Sequence, residues 1–143
     1  MQIKIKKLSP KAGIPEYAHG PLEDAGLDLR SIEDAVLLPN IPIAVSTGLA
    51  LEIPPGYEVQ LRPRSGLALK HALTLANSPA TIDPGFRGEL KVIMLNLGKI
   101  PYEIKPGDRI AQMVVSKYEA ITWDETDLAD STRGEGGFGS TGQ

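Results

Sequence analysis

Proline and glycine interrupt this chain so often that long helices have little room to form. Its 143 residues include 12 prolines and 15 glycines, several of them in turn-forming clusters such as "IPPG" (53–56) and "KPGD" (105–108). Between the turns, apolar and polar residues alternate in "IKIKK" (3–7) and "YEVQLR" (57–62), which is the two-residue period of a half-buried strand. The pattern predicts an all-β sandwich or barrel with at most one short helix, for which Ser65 is the predicted N-cap.

The composition excludes several classes of function. A net charge of -3 disfavours general nucleic-acid binding, and the absence of cysteine rules out disulfides, a thiolate nucleophile and cysteine-ligated zinc. The N-terminus "MQIKIKKLSP" lacks the apolar core of a signal peptide, and no stretch approaches the ~20 apolar residues that cross a bilayer. We therefore expect a cytoplasmic protein that has neither a membrane nor a nucleic acid as partner.

The aliphatic content falls near residue 124, and this divides the chain into two parts. The length suits one ordinary domain, which we expect to occupy residues 1–123. Residues 124–143 end in "RGEGGFGSTGQ" and hold too little apolar surface to offset their ordering entropy, so they are predicted to form a flexible arm. Arg133 and Phe138 are unusual in a spacer, because a guanidinium and an aromatic ring are suited to gripping a ligand.

The segment "RPRSGLALK" (62–70) has the composition of an anion site. Arg64, Ser65 and Gly66 combine a guanidinium, a small hydroxyl and a residue without a side chain where the predicted helix begins. Such a group suits a cluster of phosphate oxygens. The alternative is that Ser65 only caps a turn while the arginines are solvated, and the segment alone does not decide between the two.

The segment "NSPATIDPGFRGELKV" (77–92) predicts a β-hairpin that reverses near Asp83. Asp83 is either an ordinary turn-forming aspartate or a positioned carboxylate that acts as a general base. Phe86 is correspondingly either a core residue or an aromatic wall beside that carboxylate.

Two further polar residues interrupt apolar strands. In "AGLDLRS", Asp28 points away from the leucines on either side, which fits a solvated face or, weakly, a magnesium site. In "GDRIAQMVV", Gln112 is predicted to share a strand face with Ile110 and Val114, and it needs a polar partner if it is buried. The histidines, His19 and His71, have no ligand set near them in the sequence and are predicted to be surface or structural residues.

Five segments in order resemble the five sequence motifs of the trimeric dUTPase family, and they extend from Ala25 to Gly142. They are "AGLDL", "PRSGLALK", "NSPATIDPGFRGEL", "GDRIAQMV" and "RGEGGFGSTG". The resemblance implies a distorted jelly roll that assembles as a homotrimer, with each active site drawing on three subunits. It also implies Mg²⁺-dependent hydrolysis of dUTP to dUMP and pyrophosphate, which limits uracil in DNA and supplies dUMP for thymidylate synthesis.

The resemblance assigns roles to individual residues. Asp83 corresponds to the catalytic aspartate that activates water for attack on the α-phosphorus, Gln112 to a glutamine near that water, and Asp28 to the aspartate that holds Mg²⁺ through water. The resemblance implies that the remaining positions bind substrate. Arg64, Ser65 and Gly66 would bind the phosphates, Phe86 would pack on the deoxyribose, and the uracil would be bound by Asn77, Thr81, Ile82 and Lys91. The arm would close over the bound nucleotide and contact it through Arg133, Phe138, Gly139, Ser140 and Thr141.

Three positions depart from the family pattern. Leu27 and Phe86 stand where tyrosine is frequent, and Ala80 stands where glycine is frequent. A left-handed backbone at Ala80 would cost about 1 kcal/mol or more, so we expect the turn before the hairpin to differ.

Two other functions are compatible with the same fold. One is a dCTP deaminase, alone or combined with dUTP hydrolysis, although that class typically uses a glutamate base and lacks the stacking arm. The other is a non-catalytic module that binds a nucleotide as a switch. The aspartate in the predicted hairpin and the segment "GGFGSTG" favour dUTP hydrolysis over both.

Overall fold

The computed structural model describes residues 1–142, and within them the chain forms eleven short strands and one helix. The all-β prediction with a single short helix is confirmed. The elements are β1 (Lys4–Lys7), β2 (Leu27–Arg30), β3 (Ala35–Leu37), β4 (Ile43–Ser46), β5 (Leu49–Glu52), β6 (Tyr57–Arg62), α1 (Ser65–His71), β7 (Leu73–Leu75), β8 (Ala80–Ile82), β9 (Lys91–Asn96), β10 (Tyr102–Ile104) and β11 (Arg109–Lys117).

The strands pair antiparallel in four sheets, which do not close into a barrel over the described chain. A four-stranded sheet has the order β2-β11-β6-β8, a three-stranded sheet has the order β4-β9-β7, and β1-β5 and β3-β10 form two-stranded ribbons. The core lies between them and is built largely of leucine, valine and isoleucine. The half-buried strand predicted from the alternation in "YEVQLR" is confirmed, since Val59 and Leu61 are fully buried while Glu58 and Gln60 are partly exposed on the opposite face.

The predicted hairpin in the segment 77–92 is wrong. β8 pairs with β6, whereas β9 pairs with β4 and β7, so the two strands belong to different sheets. The reason is that alternate residues of β9 are buried, and the three-stranded sheet supplies ladder partners on both sides of it. Residues 83–90 therefore carry the chain from one sheet to the other, and the loop 83–88 is the first part of this connection.

A β-bulge overturns the predicted common face of Ile110, Gln112 and Val114. Arg109 pairs with Arg30 and Ala111 pairs with Leu29, so one extra residue lies in β11. The extra residue, Ile110, is buried, while Gln112 and Val114 are only partly buried.

The predicted N-cap of α1 is also wrong. Arg64, with φ -90° and ψ 130°, is the N-cap of α1, and Ser65 is the first helical residue. Ala80 lies within β8 and is absent from the described residues with positive φ, which apart from glycine are Asn40, Ala72 and Phe138. An alanine is therefore accommodated there without left-handed strain.

The last part of the chain differs from the rest. Residues 124–142 contain turns but neither helix nor strand, and nearly all of them are exposed. The division into 1–123 and 124–143, and the flexibility of the second part, stay predictions. Over residues 1–142, none of the helices reaches the length and apolarity needed to cross a membrane.

Gly48, between β4 and β5, should tolerate alanine far less well than Gly56. Both have positive φ, at 69° and 85°, but a Cβ at Gly48 would lie 3.0 Å from Ala12 Cβ and 3.1 Å from Ile32 Cδ1, whereas at Gly56 it would meet open space. We expect Gly56→Ala to lower the free energy of unfolding by about 1 kcal/mol through strain, and Gly48→Ala by about 2–4 kcal/mol through strain and overpacking. Urea unfolding at one fixed protein concentration measures both, and equal losses would contradict the steric argument.

Candidate functional site

One carboxylate on β2 holds two guanidinium groups at the surface of the four-stranded sheet. Asp28 Oδ1 accepts a hydrogen bond from Arg64 Nε at 3.0 Å, and Asp28 Oδ2 accepts one from Arg109 Nη1 at 3.3 Å. The side chains of Asp28 and Arg64 are 20% and 29% exposed, so this ion pair is largely shielded from water. The three groups together carry one net positive charge, which suits the binding of an anion.

Gln112 lies beside this cluster because β11 runs between β2 and β6. It stands opposite Asp28 in one ladder and opposite Arg62 in the other. Its Nε2 donates a hydrogen bond to the carbonyl oxygen of Pro63 at 2.9 Å, which provides the polar partner that the sequence required. Its Oε1 lies so close to Gly26 that a Cβ there would overlap it. A side chain at position 26 would therefore displace the Gln112 amide, a relation that sequence reasoning did not assign.

A cleft of about 280 Å³ opens over these side chains at the start of α1. Ser65 and Gly66 are both exposed at its edge, and Ser65 does not cap the helix, so the capping interpretation is wrong. The lining residues are Ala18, His19, Asp24, Gly26, Asp28, Arg64, Ser65, Gly66, Arg109 and Gln112.

The cleft also includes a pair that the sequence did not reveal. His19 Nδ1 lies 3.2 Å from both carboxylate oxygens of Asp24, and the backbone N–H of His19 donates to the same carboxylate. These hydrogen bonds, that of the His19 backbone first, hold the pKa of Asp24 below its ordinary value. The pair closes the loop that forms one wall of the cleft. The prediction that His19 is a surface or structural residue is confirmed, since its side chain is 71% exposed, but its contact with Asp24 was not predicted.

A second group of predicted site residues gathers around β8 and the loop that follows it. Thr81 pairs with Gln60 on β6, and the next residues lead to Asp83, whose side chain is exposed. Phe86 is 44% exposed, which removes the interpretation of Phe86 as a core residue. Ile82 is half-buried, and Asn77 and Lys91 are exposed.

The two groups lie far apart on one chain. Ile82 pairs with Val59, so Asp83 continues towards Glu58 near the start of β6, whereas Arg64 follows the end of that strand. Six residues of extended backbone separate these positions by about 20 Å. The structure of a single chain therefore does not bring Asp83 to the Arg64 cluster.

The arm residues form a third group, whose described hydrogen bonds are local. Arg133 Nε donates to the carbonyl oxygen of Gly136 at 2.6 Å, and the Ser140 N–H donates to Gly137 at 3.1 Å. The Phe138 side chain is fully exposed. Gly139 and Thr141 are exposed beside it.

Comparisons with known proteins agree on one family. The model of the dUTPase family matches residues 13–142. The deoxyuridine 5'-triphosphate nucleotidohydrolase of Solibacter usitatus (strain Ellin6076) is 63% identical over 143 residues, which cover 100% of this chain and 97% of that protein.

Two solved structures show the same jelly-roll type of fold. The Staphylococcus bacteriophage 80alpha dUTPase with dUPNHPP has a TM-score of 0.84 and 31% identity, and the match covers 99% of each chain. A mutant dUTPase from phage phi11 of S. aureus, solved to describe coordination of a structural Mg(II) ion, has a TM-score of 0.83 and 26% identity, covering 92% of this chain and 100% of that one. The resemblance and the enzyme class expected from the sequence are confirmed: the chain belongs to the dUTPase family of deoxyuridine 5'-triphosphate nucleotidohydrolases.

Proposed function

We propose that this protein hydrolyses dUTP to dUMP and pyrophosphate, with Mg²⁺, in sites shared by three copies of the chain. The observation that carries the proposal is the cleft in which Asp28 holds Arg64 and Arg109 beside Ser65 and Gly66. The reaction removes dUTP as a source of uracil in DNA and supplies dUMP for thymidylate synthesis.

The cleft residues are suited to bind the triphosphate. Two guanidinium groups, fixed by one carboxylate, offer planar donors to phosphate oxygens with little loss of side-chain freedom. The exposed Ser65 hydroxyl and the open backbone at Gly66 can add further hydrogen bonds. Binding here would draw on geometry that exists before the nucleotide arrives.

The residues fit a magnesium ion that is held mainly by the substrate. Both oxygens of Asp28 already accept hydrogen bonds from arginine, and residues 1–142 contain no group of three or more potential metal ligands. Asp28 would therefore contact Mg²⁺ through water, while phosphate oxygens supply the inner ligands, as this ion prefers. When bound, the ion neutralises charge that develops on the phosphates.

Asp83 would supply the general base. Its exposed carboxylate can orient a water whose oxygen forms a bond to the α-phosphorus while the bond from that phosphorus to the bridging oxygen of the β-phosphate breaks. The proton of the water passes to Asp83, and pyrophosphate leaves. Gln112, fixed by Pro63, would help to position the water next to the phosphates.

The other predicted residues would select and cover the nucleotide. The exposed Phe86 ring is available to pack on the deoxyribose, where a 2′-hydroxyl would collide with it. Asn77, Thr81, Ile82 and Lys91 would contact the uracil along β8 and the adjoining strand ends. The arm would then place Arg133 on the γ-phosphate, Phe138 over the base, and Gly139, Ser140 and Thr141 near phosphate oxygens.

The separation of the two groups supports the proposal of a shared site. Reacting atoms must approach to about 3–3.5 Å, and a gap of about 20 Å between Asp83 and Arg64 on one chain is far too large. A second copy must then bring its Asp83 to the first copy's cleft.

Asp83→Asn should abolish most turnover but leave binding intact. The amide keeps the shape of the carboxylate and cannot accept the proton, so we expect kcat for dUTP to fall about 10²-fold or more. Asp34→Asn, at an exposed carboxylate paired with Lys105, is the matched control and should retain full activity. Products from dUTP and dCTP are resolved by chromatography. For the wild type, deoxyuridine nucleotides formed from dCTP would indicate a deaminase, and binding of dUTP without products would indicate a switch module.

Two inactive variants should restore activity when they share a trimer. Asp83→Asn removes the general base from each site, and Arg64→Ala removes a phosphate-binding group. In a cyclic trimer with heterologous interfaces, each site takes these two residues from different chains. About a quarter of the sites in an equal mixture of the two variants then contain both intact residues. Co-expression with two affinity tags, followed by light scattering and a turnover assay, measures the recovery. Mixed trimers without any recovered activity would show that each chain builds its own site.

Removal of the chain after Thr132 should leave a folded protein that turns over dUTP slowly. The described hydrogen bonds of Arg133 and Ser140 stay within the arm, so the melting temperature should hardly change. Loss of a charge-assisted phosphate contact and of a base stack worth about 1–3 kcal/mol should lower kcat/KM by about 10²-fold or more. Full turnover by the truncated protein would reduce the arm to a spacer.

A further inference from the structure

The loop 83–88 carries two of the proposed functional side chains without the support of a sheet ladder. Because β8 and β9 belong to different sheets, Asp83 and Phe86 lie on a connection between them. A single backbone hydrogen bond within the turn joins the Phe86 N–H to the Asp83 carbonyl oxygen at 3.1 Å. Fixing a carboxylate for catalysis needs further contacts.

Arg87 supplies such contacts from within the loop. Its Nη1 donates to the carbonyl oxygen of Pro84 at 2.6 Å and to that of Phe86 at 3.1 Å. The side chain thus folds back over the turn and joins the residue after Asp83 to Phe86 itself. Because the donor is charged, these bonds are stronger than those between neutral groups.

The Phe86 ring is held on the other side of the same turn. A Cβ at Gly88 would lie 2.6 Å from Phe86 Cζ and 2.9 Å from Cε2, so the ring packs against the bare backbone of Gly88. Arg87 fixes the Phe86 carbonyl while Gly88 makes room for the ring. The backbone carbonyl of Phe86 is therefore positioned by Arg87, and its ring is positioned against Gly88.

The Arg87 charge also faces β5. Glu52 forms a 3.0 Å ion pair with Lys4, and the pKa of Glu52 is lowered first by Lys4 and also by attraction to Arg87. Lys4, Glu52, Pro84 and Arg87 line one cavity of about 580 Å³. The guanidinium group therefore bonds to the loop carbonyls and shares a cavity with a carboxylate on another sheet, to which it is attracted without a direct ion pair among the described residues.

We propose that Arg87 is a positioning residue, which clamps the loop so that Asp83 meets the attacking water and the Phe86 ring meets the sugar. The proposal rests on the proposed function of Asp83 and Phe86. Arg87 itself touches only protein groups, namely two carbonyl oxygens, and faces Glu52. Loss of the Arg87 side chain should lower both the turnover of dUTP and the preference for deoxyribose over ribose, while the nucleotide cleft around Arg64 stays intact.

The test compares Arg87→Ala and Arg87→Lys with Lys105→Ala. Lys105 is a matched control because it is an exposed cation in surface ion pairs with Asp34 and Glu103, so its removal changes the net charge equally. For Arg87→Ala we expect kcat for dUTP to fall about tenfold, with a smaller change in KM, because the loss of positioning acts on the reacting geometry. The preference for dUTP over UTP should fall in the same variant.

Two further readouts separate positioning from a general loss of stability. Millimolar guanidinium should restore part of the kcat of Arg87→Ala, and Arg87→Lys should retain an intermediate kcat, whereas Lys105→Ala should match the wild type throughout. An unchanged kcat and sugar preference in Arg87→Ala would overturn the proposal, as would a kcat loss that follows only a lowered melting temperature. If the wild type itself does not hydrolyse dUTP, the proposed function fails instead, and the two failures are thereby distinguished.

Discussion

The site depends on the two-sided pairing of β11. This nine-residue strand bonds to β2 on one side and to β6 on the other, and it brings three distant stretches of chain into register. The bulge at Ile110 turns an apolar residue into the core and restores the alternation that leaves Gln112 on the outer face. Without that pairing, Asp28 would face neither Arg109 nor Gln112, and the cleft would lose its floor.

Charge distribution in the cleft then follows from Asp28. A carboxylate with two guanidinium partners cannot readily serve as a direct metal ligand, and what it provides is orientation of positive charge. A similar arrangement occurs in the loop 83–88, where Arg87 donates hydrogen bonds to two backbone carbonyl oxygens. In both places the hydrogen bonds of an arginine fix the position of groups that the proposed site needs. Such preorganisation is what phosphoryl transfer requires, since positioning and electrostatics account for most of its catalysis.

The separation of Asp83 from Arg64 connects the fold to assembly. Short strands and sharp turns make a stiff sheet, so the two ends of β6 cannot approach each other within a chain. A site that needs both ends has to be completed by another copy, and an exposed glycine-rich arm is suited to reach across to it. In the proposed function, each chain would therefore contribute to more than one site.

The sequence by itself determined the all-β class with one short helix and the family, because alternation, turn residues and the five motif segments are local signals. Val59 and Leu61 had to face a core, and the turns at Pro and Gly had to end the strands. Only the tertiary structure decided which strands pair. It separated β8 from β9, placed the bulge at Ile110, and brought His19 to Asp24. The contacts of Arg87 within its loop, and the closeness of Gly26 to Gln112, were equally hidden, because each depends on how the chain turns or meets a distant strand in space. Local periodicity fixes which face of a strand is buried, but its neighbours are selected by the packing of the whole core.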